Sequence, residues 1–254
     1  MTKEIYLTDE IIIYEGKYYK KKINNKNLIT IKNWQKHLSD CGWLKLELAW
    51  VRRLNKYSTI KNKTSCWGIL DCESNGDCFY SVISEALNYH NRNIENLIHY
   101  DSIDIRKKIS NQINKDNFEE IMNVYKIEKE LSEFKHSWDI NLVKNYKDLR
   151  NELIKEGNNY WADFLIIELF KNEFNMNLII LNDYNNNNKC ELYSIGDNLD
   201  KLKETIIIYY QDQTHFQLIG YFINNQIKTI FKYDEIPEEI IKIYSIDCRK
   251  NVNY

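Results

Sequence analysis

Asn75-Gly76-Asp77-Cys78-Phe79-Tyr80-Ser81-Val82-Ile83-Ser84-Glu85-Ala86-Leu87 joins a polar turn to an apolar helix face. Asn-Gly is a strong turn dipeptide, and glycine takes a positive φ without the Cβ clash that other residues meet. From Phe79 onward, Val82, Ile83, Ala86 and Leu87 recur at three- and four-residue spacing, which predicts a helix. Cys78 therefore falls in the first helical turn. Unpaired N–H groups and partial positive charge at a helix start favour a thiolate over a thiol. The same N–H groups can hold an oxyanion beside the sulfur. A buried cysteine is more often a small hydrophobe, so position alone makes Cys78 a candidate nucleophile and no more.

The 254 residues suit one substantial domain with an extension, or two small domains. A formal net charge of -2 leaves no basic footprint for nucleic acid or an acidic membrane surface. One proline and seven glycines argue against long disordered linkers. No apolar run approaches the ~20 residues that span a bilayer, and Met1-Thr2-Lys3-Glu4 lacks the apolar core of a signal peptide. The expectation is an intracellular (cytoplasmic) protein. Asn, Ile, Lys and Tyr, all with AT-rich codons, are heavily used; that fits the genome of a virus or intracellular parasite acting in a host cell. The six cysteines (Cys41, Cys66, Cys72, Cys78, Cys190 and Cys248) contain no pair at the two-residue spacing of a zinc site. No metal, no organic cofactor and no disulfide framework is expected.

Outward from the central stretch, residues 1–65 read as an N-terminal extension packed on the core. Ile11-Ile12-Ile13-Tyr14, Glu15-Gly16-Lys17 and Tyr18-Tyr19 predict a β-hairpin with Gly16 in the turn. Trp34, Leu38, Trp43, Leu44, Leu46, Leu48, Trp50, Val51 and Leu54 predict one or two helices interrupted near Gly42. Residues 66–223 form the main domain. Ser102 to Asn114, Phe118 to Phe134 and Trp138 to Leu153 carry helical apolar stripes, and Trp161 to Phe170 is apolar nearly all round, so it is central and buried. Asn177 to Leu181 predicts a buried strand, followed by the asparagines 185 to 188 and a short strand from Cys190 to Ile195. Thr205 to Tyr210 and Thr214 to Tyr221 pair across Gln211-Asp212-Gln213. Residues 224–254 supply a last strand, Ile227 to Phe231, and a helix opened by Pro237.

A cysteine nucleophile needs a base that takes its proton and later gives it to the leaving amine. Of His37, His90, His99, His136 and His215, only His215 sits at the mouth of a predicted strand just after a polar turn. There a side chain is fixed yet reachable. His90 and His99 lie in a polar segment, and His37 and His136 in helical context.

Three blocks in order, Asn75-Gly76-Asp77-Cys78-Phe79-Tyr80, then Trp161-Ala162 through Leu181, then His215-Phe216-Gln217, resemble the ovarian tumour (OTU) domain cysteine proteases, a family of deubiquitinating enzymes. The resemblance runs from about Trp67 to Tyr221. It implies an α+β papain-like fold with a small central sheet between helices, beside the N-terminal hairpin-and-helix extension. It also implies hydrolysis of the isopeptide bond at the ubiquitin C-terminus, with ubiquitin or ubiquitin-like conjugates as partners and neither nucleic acid nor membrane involved. Cys78 would be the nucleophile, His215 base then acid, and the backbone N–H groups of Asn75, Gly76, Asp77 and Cys78 the oxyanion site.

Two departures bear on the third catalytic member. The family has Asp where this chain has Asn75, and Asp or Asn where it has Gln217. Strand residues i and i+2 share a face, so Gln217 lies beside the His215 ring, and the amide oxygen of Asn75 or Gln217 is expected to fix the tautomer. Neither supplies charge. Asp71, Asp77 and Asp212 are near in sequence but occupy no family position. Two other readings follow: a catalytically weak ubiquitin-binding module of the same fold, and a papain-like protease acting on another substrate.

Overall fold

The computed structural model describes residues 4–23, 25–60, 65–72, 75–92, 98–184, 189–194, 199–212 and 214–248, with backbone alone for 183–184 and 189–194. The asparagine run at 185–188, Ile195 and Gln213 lie outside the described residues.

A small antiparallel sheet begins the chain: β1 (Ile5–Tyr6), β2 (Ile11–Tyr14), β3 (Lys17–Lys22) and β4 (Asn25–Leu28), in that order. The expected hairpin is β2–β3. Glu15 (φ 48°) and Gly16 (φ 73°) are both left-handed, the turn geometry that matches the twist of two joined strands. Next come α1 (Trp34–His37), β5 (Trp43–Lys45) and α2 (Leu48–Tyr57). The sequence places Trp43 and Leu44 on a helix; they are strand instead. Gly42, at φ 85°, ends a 3-10 turn over Ser39–Cys41 and turns the chain onto a sheet edge.

That edge belongs to the main sheet. It is built from β5, β6 (Trp67–Leu70), β7 (Asn177–Tyr184), β8 (Lys189–Ser194), β9 (Thr205–Gln211), β10 (His215–Ile223), β11 (Gln226–Lys228) and β12 (Ile230–Phe231). The spatial order is β5-β6-β10-β9-β7-β8, with β11 on β10 and β12 on β9. Only the β7–β9 pair among these described pairings is parallel.

Strand alternation sorts the core into two layers. Ile206, Ile208, Leu218 and Phe222 face the core that holds α3 (Cys78–Asn91), α4 (Ser102–Ser110), α6 (Tyr146–Ile154) and α7 (Phe164–Phe174). Ile207, Tyr209, Ile219 and Tyr221 face α2 and α8 (Glu238–Asp247) on the other side. The fold is α+β, a mixed sheet between helices, as the sequence leads one to expect. Several helix boundaries differ, and α4 ends at Ser110 rather than running to Asn114. α5 (Phe118–Glu130) stops short of Phe134, where Ser132 turns left-handed at φ 61°. The stripe from Trp138 to Leu153 is a 3-10 turn at Ile140–Leu142 and then α6, because Asn145 caps α6 by accepting from the N–H groups of Lys147 and Asp148. α7 opens at Phe164 rather than Trp161, because Asp163 accepts the Ile166 N–H at 2.8 Å.

The N-terminal segment is keyed into this sheet. Gly68 and Gly220 lie directly opposite each other on β6 and β10. Bare backbone there seats the buried indoles of Trp34 and Trp43, and a Cβ on Gly220 would lie 2.3 Å from Trp43 Cζ3 and 2.8 Å from Ile227 Cγ2. Trp43 cannot swing away freely, since its Nε1 donates to the Tyr89 hydroxyl at 2.9 Å. Gly220→Ala should therefore destabilise the protein by about 1–3 kcal/mol, the usual range for overpacking. A chemical-denaturation midpoint unchanged from wild type would refute this account of the notch.

Candidate active site

Cys78 is the first residue of α3 and is 4% exposed. The turn before it depends on Gly76, whose φ is +95°. A Cβ there would lie 2.6 Å from the Gly157 carbonyl, so the position needs glycine both for its dihedral and for the close approach of the 157–158 loop.

His215 opens β10, and its neighbour Phe216 packs edge-on against Phe79, the neighbour of Cys78, at 5.5 Å between ring centroids. Tyr210 of β9 stacks on Phe216 at 4.3 Å. This aromatic stack brings the strand mouth to the helix start. Two residues far apart in sequence thereby meet.

The imidazole has a carboxylate partner, Asp71, just beyond β6. Antiparallel pairing sets Leu70 opposite Leu218, and one further step in that register sets Asp71 opposite Gln217. Asp71 Oδ1 lies 3.2 Å from His215 Nε2 and accepts from Gln217 Nε2 at 2.9 Å. The hydrogen bond from Gln217 is the largest cause holding the Asp71 carboxyl below its usual range; burial opposes it, and His215 adds to it. The His215 ring is held above its ordinary value, first by the Cys78 thiol; burial opposes this, and Asp71 reinforces it.

The other ring nitrogen, Nδ1, is buried and closes no hydrogen bond of standard geometry. With a carboxylate on Nε2, that nitrogen carries the proton in the neutral ring, which leaves the Nδ1 lone pair as the base. The tautomer is assigned from the partner.

Amide orientation at the turn follows from peptide planarity. The Asp77 carbonyl accepts the Ser81 N–H at 2.9 Å, so the Cys78 N–H in the same trans peptide points the opposite way, out of the helix start. Of the four amides expected around an oxyanion, that of Asp77 is engaged elsewhere, by Asn75 Oδ1 at 3.2 Å.

The expected acceptor roles of Asn75 and Gln217 toward the ring are therefore not what the geometry gives. Asn75 closes its own turn. Gln217 stands beside the site as expected, but its amide nitrogen reaches Asp71 and its Oε1 is buried without a partner. The carboxylate that meets the ring, Asp71, had no family position to flag it. The register that delivers it is set by how β6 and β10 pair, which the sequence does not spell out.

Beneath the turn lies Arg106, fully buried. Its Nε donates to Asp77 Oδ1 at 2.6 Å, its Nη1 to the carbonyls of Leu153 and Tyr160, and its Nη2 to those of Gly76 and Gly157. The Gly157 N–H returns a bond to Asp77 Oδ2 at 2.7 Å. Sequence reasoning missed Arg106 because it sits beside the Ile105, Ile109, Ile113 stripe, where a helical wheel places a solvated edge.

Burial pushes the Cys72 thiol up to about 12. His136, expected in a helix, lies between α5 and the 3-10 turn. Its Nε2 is 3.1 Å from Asp163 Oδ2 and its Nδ1 accepts the Trp161 N–H, all among Phe134, Trp138 and Tyr160. Both its nitrogens are committed to structure. Among the described residues no group of three or more metal-ligating side chains converges.

No protein-family model matches the sequence, and no curated protein matches it. Solved structures do. An OTU deubiquitinase from Wolbachia pipientis wMel bound to ubiquitin is 14% identical with a TM-score of 0.43, over 64% of this chain and 98% of that one. The Hazara virus OTU bound to ubiquitin is 10% identical with a TM-score of 0.38, over 62% and 83%. The OTU domain protease of Dera Ghazi Khan virus is 13% identical with a TM-score of 0.38, over 64% and 82%.

Asp71 is one of the groups that keeps the proton on His215, so Asp71→Asn should let that proton leave at lower pH. The basic limb of the pH profile for Cys78 alkylation should then move toward acid. A basic limb that stays in place, with a shift appearing instead in Asn75→Ala, would remove Asp71 from the site.

Proposed function

We propose that the protein is a thiol-dependent hydrolase of the isopeptide bond at the C-terminus of ubiquitin or a ubiquitin-like protein. The observation that carries the reading is the strand mouth at His215, with Asp71 Oδ1 3.2 Å from the ring Nε2, brought to the Cys78 helix start through the Phe79–Phe216 ring contact. Ubiquitin as acyl donor is supported by the order of the three sequence blocks at Cys78, Trp161 and His215. Asp71 supplies the negative charge whose loss the binding-module reading required.

In the mechanism, Cys78 Sγ gives its proton to His215 Nδ1 and attacks the terminal carbonyl. The tetrahedral oxygen takes up negative charge beside the outward Cys78 N–H. His215 passes the proton to the leaving lysine amine, and the carbonyl re-forms as a thioester. Water, activated by the same nitrogen, then releases the free C-terminus and the thiol.

Incubation with a ubiquitin C-terminal electrophile should give one adduct, mapping to Cys78. Cys78→Ala should abolish both adduct and turnover, and His215→Ala should lower turnover by at least ~10². Binding without reaction would favour the non-catalytic module. Cleavage of unrelated peptides with ubiquitin chains untouched would point to another acyl donor.

A further inference from the structure

Asp77 occupies the N-cap of α3, a position where an aspartate ordinarily turns its carboxylate onto the free helix amides. The caps of α4, α6 and α7 do so: Asp101 accepts from Asp104 N, Asn145 from Lys147 N and Asp163 from Ile166 N. Asp77 makes no such bond. One carboxylate oxygen is held by Arg106 and the other by the Gly157 N–H, and neither accepts a helix amide. An anion seated on those amides would occupy and repel the position where a substrate oxygen becomes negative.

We propose that Arg106 is a positioning residue that restrains the Asp77 carboxylate and so keeps the start of α3 open for the oxyanion. This rests on the reading of Cys78 as an acyl-transfer nucleophile. Arg106 suits the task. It is buried with its charge neutralised by Asp77 at 2.5 Å, and its remaining donors are tied to the carbonyls of Gly76, Leu153, Gly157 and Tyr160. The guanidinium therefore has one pose, and the carboxylate inherits it. Asp77 in turn anchors the Gly157 loop that covers Gly76.

The test uses Arg106→Gln and the double variant Arg106→Gln/Asp77→Asn, each assayed on a fluorogenic ubiquitin C-terminal amide per titratable Cys78. Arg106→Gln frees an unpaired carboxylate at the helix start, so kcat should fall at least ~10-fold with KM within about twofold, since only the transition state carries the oxyanion. The double variant has neither an anion to misplace nor a cation left unpaired, so its kcat should stay within ~10-fold of wild type and above that of Arg106→Gln. Wild-type kcat in Arg106→Gln, or a double variant no better than that single, would overturn the proposal. Should Arg106→Gln fail to fold, the double variant still decides, because a kcat more than ~10-fold below wild type there would mean that the charge itself is required and would overturn the proposal. Wild-type protein that leaves the amide intact would instead overturn the functional reading on which the proposal stands.

Discussion

A single buried cation organises the candidate catalytic turn. Arg106 carries five N–H donors, and each has an acceptor: one carboxylate oxygen and four backbone carbonyls. An unpaired guanidinium in this position would be intolerable, and removing one partner of such a pair costs about 3–5 kcal/mol. The acceptors come from the nucleophile turn and from the 153–160 segment, while the arginine belongs to α4. The Tyr80 ring stacks over the guanidinium at 3.8 Å. So the helix that presents Cys78, the helix that follows it and the covering loop share one fixed point. The conformation of Gly76, which only glycine adopts without strain, is held by that point together with the Asn75 bond to the Asp77 N–H.

The second constraint is the sheet. β10 is shared between the two core layers, with Phe216 and Leu218 on the α3 side and Ile219 and Tyr221 on the other. A one-residue slip would invert both faces, so the register against β6 is strongly specified. The Gly68–Gly220 pair, filled by Trp34 and Trp43, adds a steric key to it. The position of Asp71 opposite Gln217 is then a consequence of core packing. The N-terminal segment contributes directly, since β5 pairs with β6 and Trp50 lies fully buried in the core under α8. The boundary drawn at residue 65 divides elements that share one sheet.

Local signals carried the sequence reading well where the cause of structure is local. The β2–β3 hairpin, the α3 start at Cys78 and the β9–β10 pair were all legible from turn residues and periodicity. Trp43 and Leu44 were not, because a left-handed Gly42 and a sheet edge overrode their helical spacing. Cys78 and His215 were legible as candidates, each being a reactive side chain at the edge of a regular element. Asp71 and Arg106 were not, for a shared reason. Each is defined by partners about 30 or more residues away, at Leu153 to Tyr160 for the arginine and at His215 and Gln217 for the aspartate. An arginine beside an apolar stripe looks solvated until its acceptors are known.

Gln217 shows how a correct placement can hide a different connection. Alternation put it on the His215 face, and there it is. Yet Asp71 is largely exposed, with 57% of its side chain accessible, and an exposed carboxylate meeting a histidine gains little from charge alone. What fixes it is a second donor from below. Gln217 is 5% exposed and spends its amide nitrogen on the same oxygen that faces the ring. Its own oxygen is left buried and unpartnered, a loss of about 1–3 kcal/mol by the usual measure. A side chain held in that arrangement restricts the carboxylate to the rotamer that faces Nε2. In the proposed mechanism the amide thus acts one bond further out than expected: it orients the group that orients the imidazole.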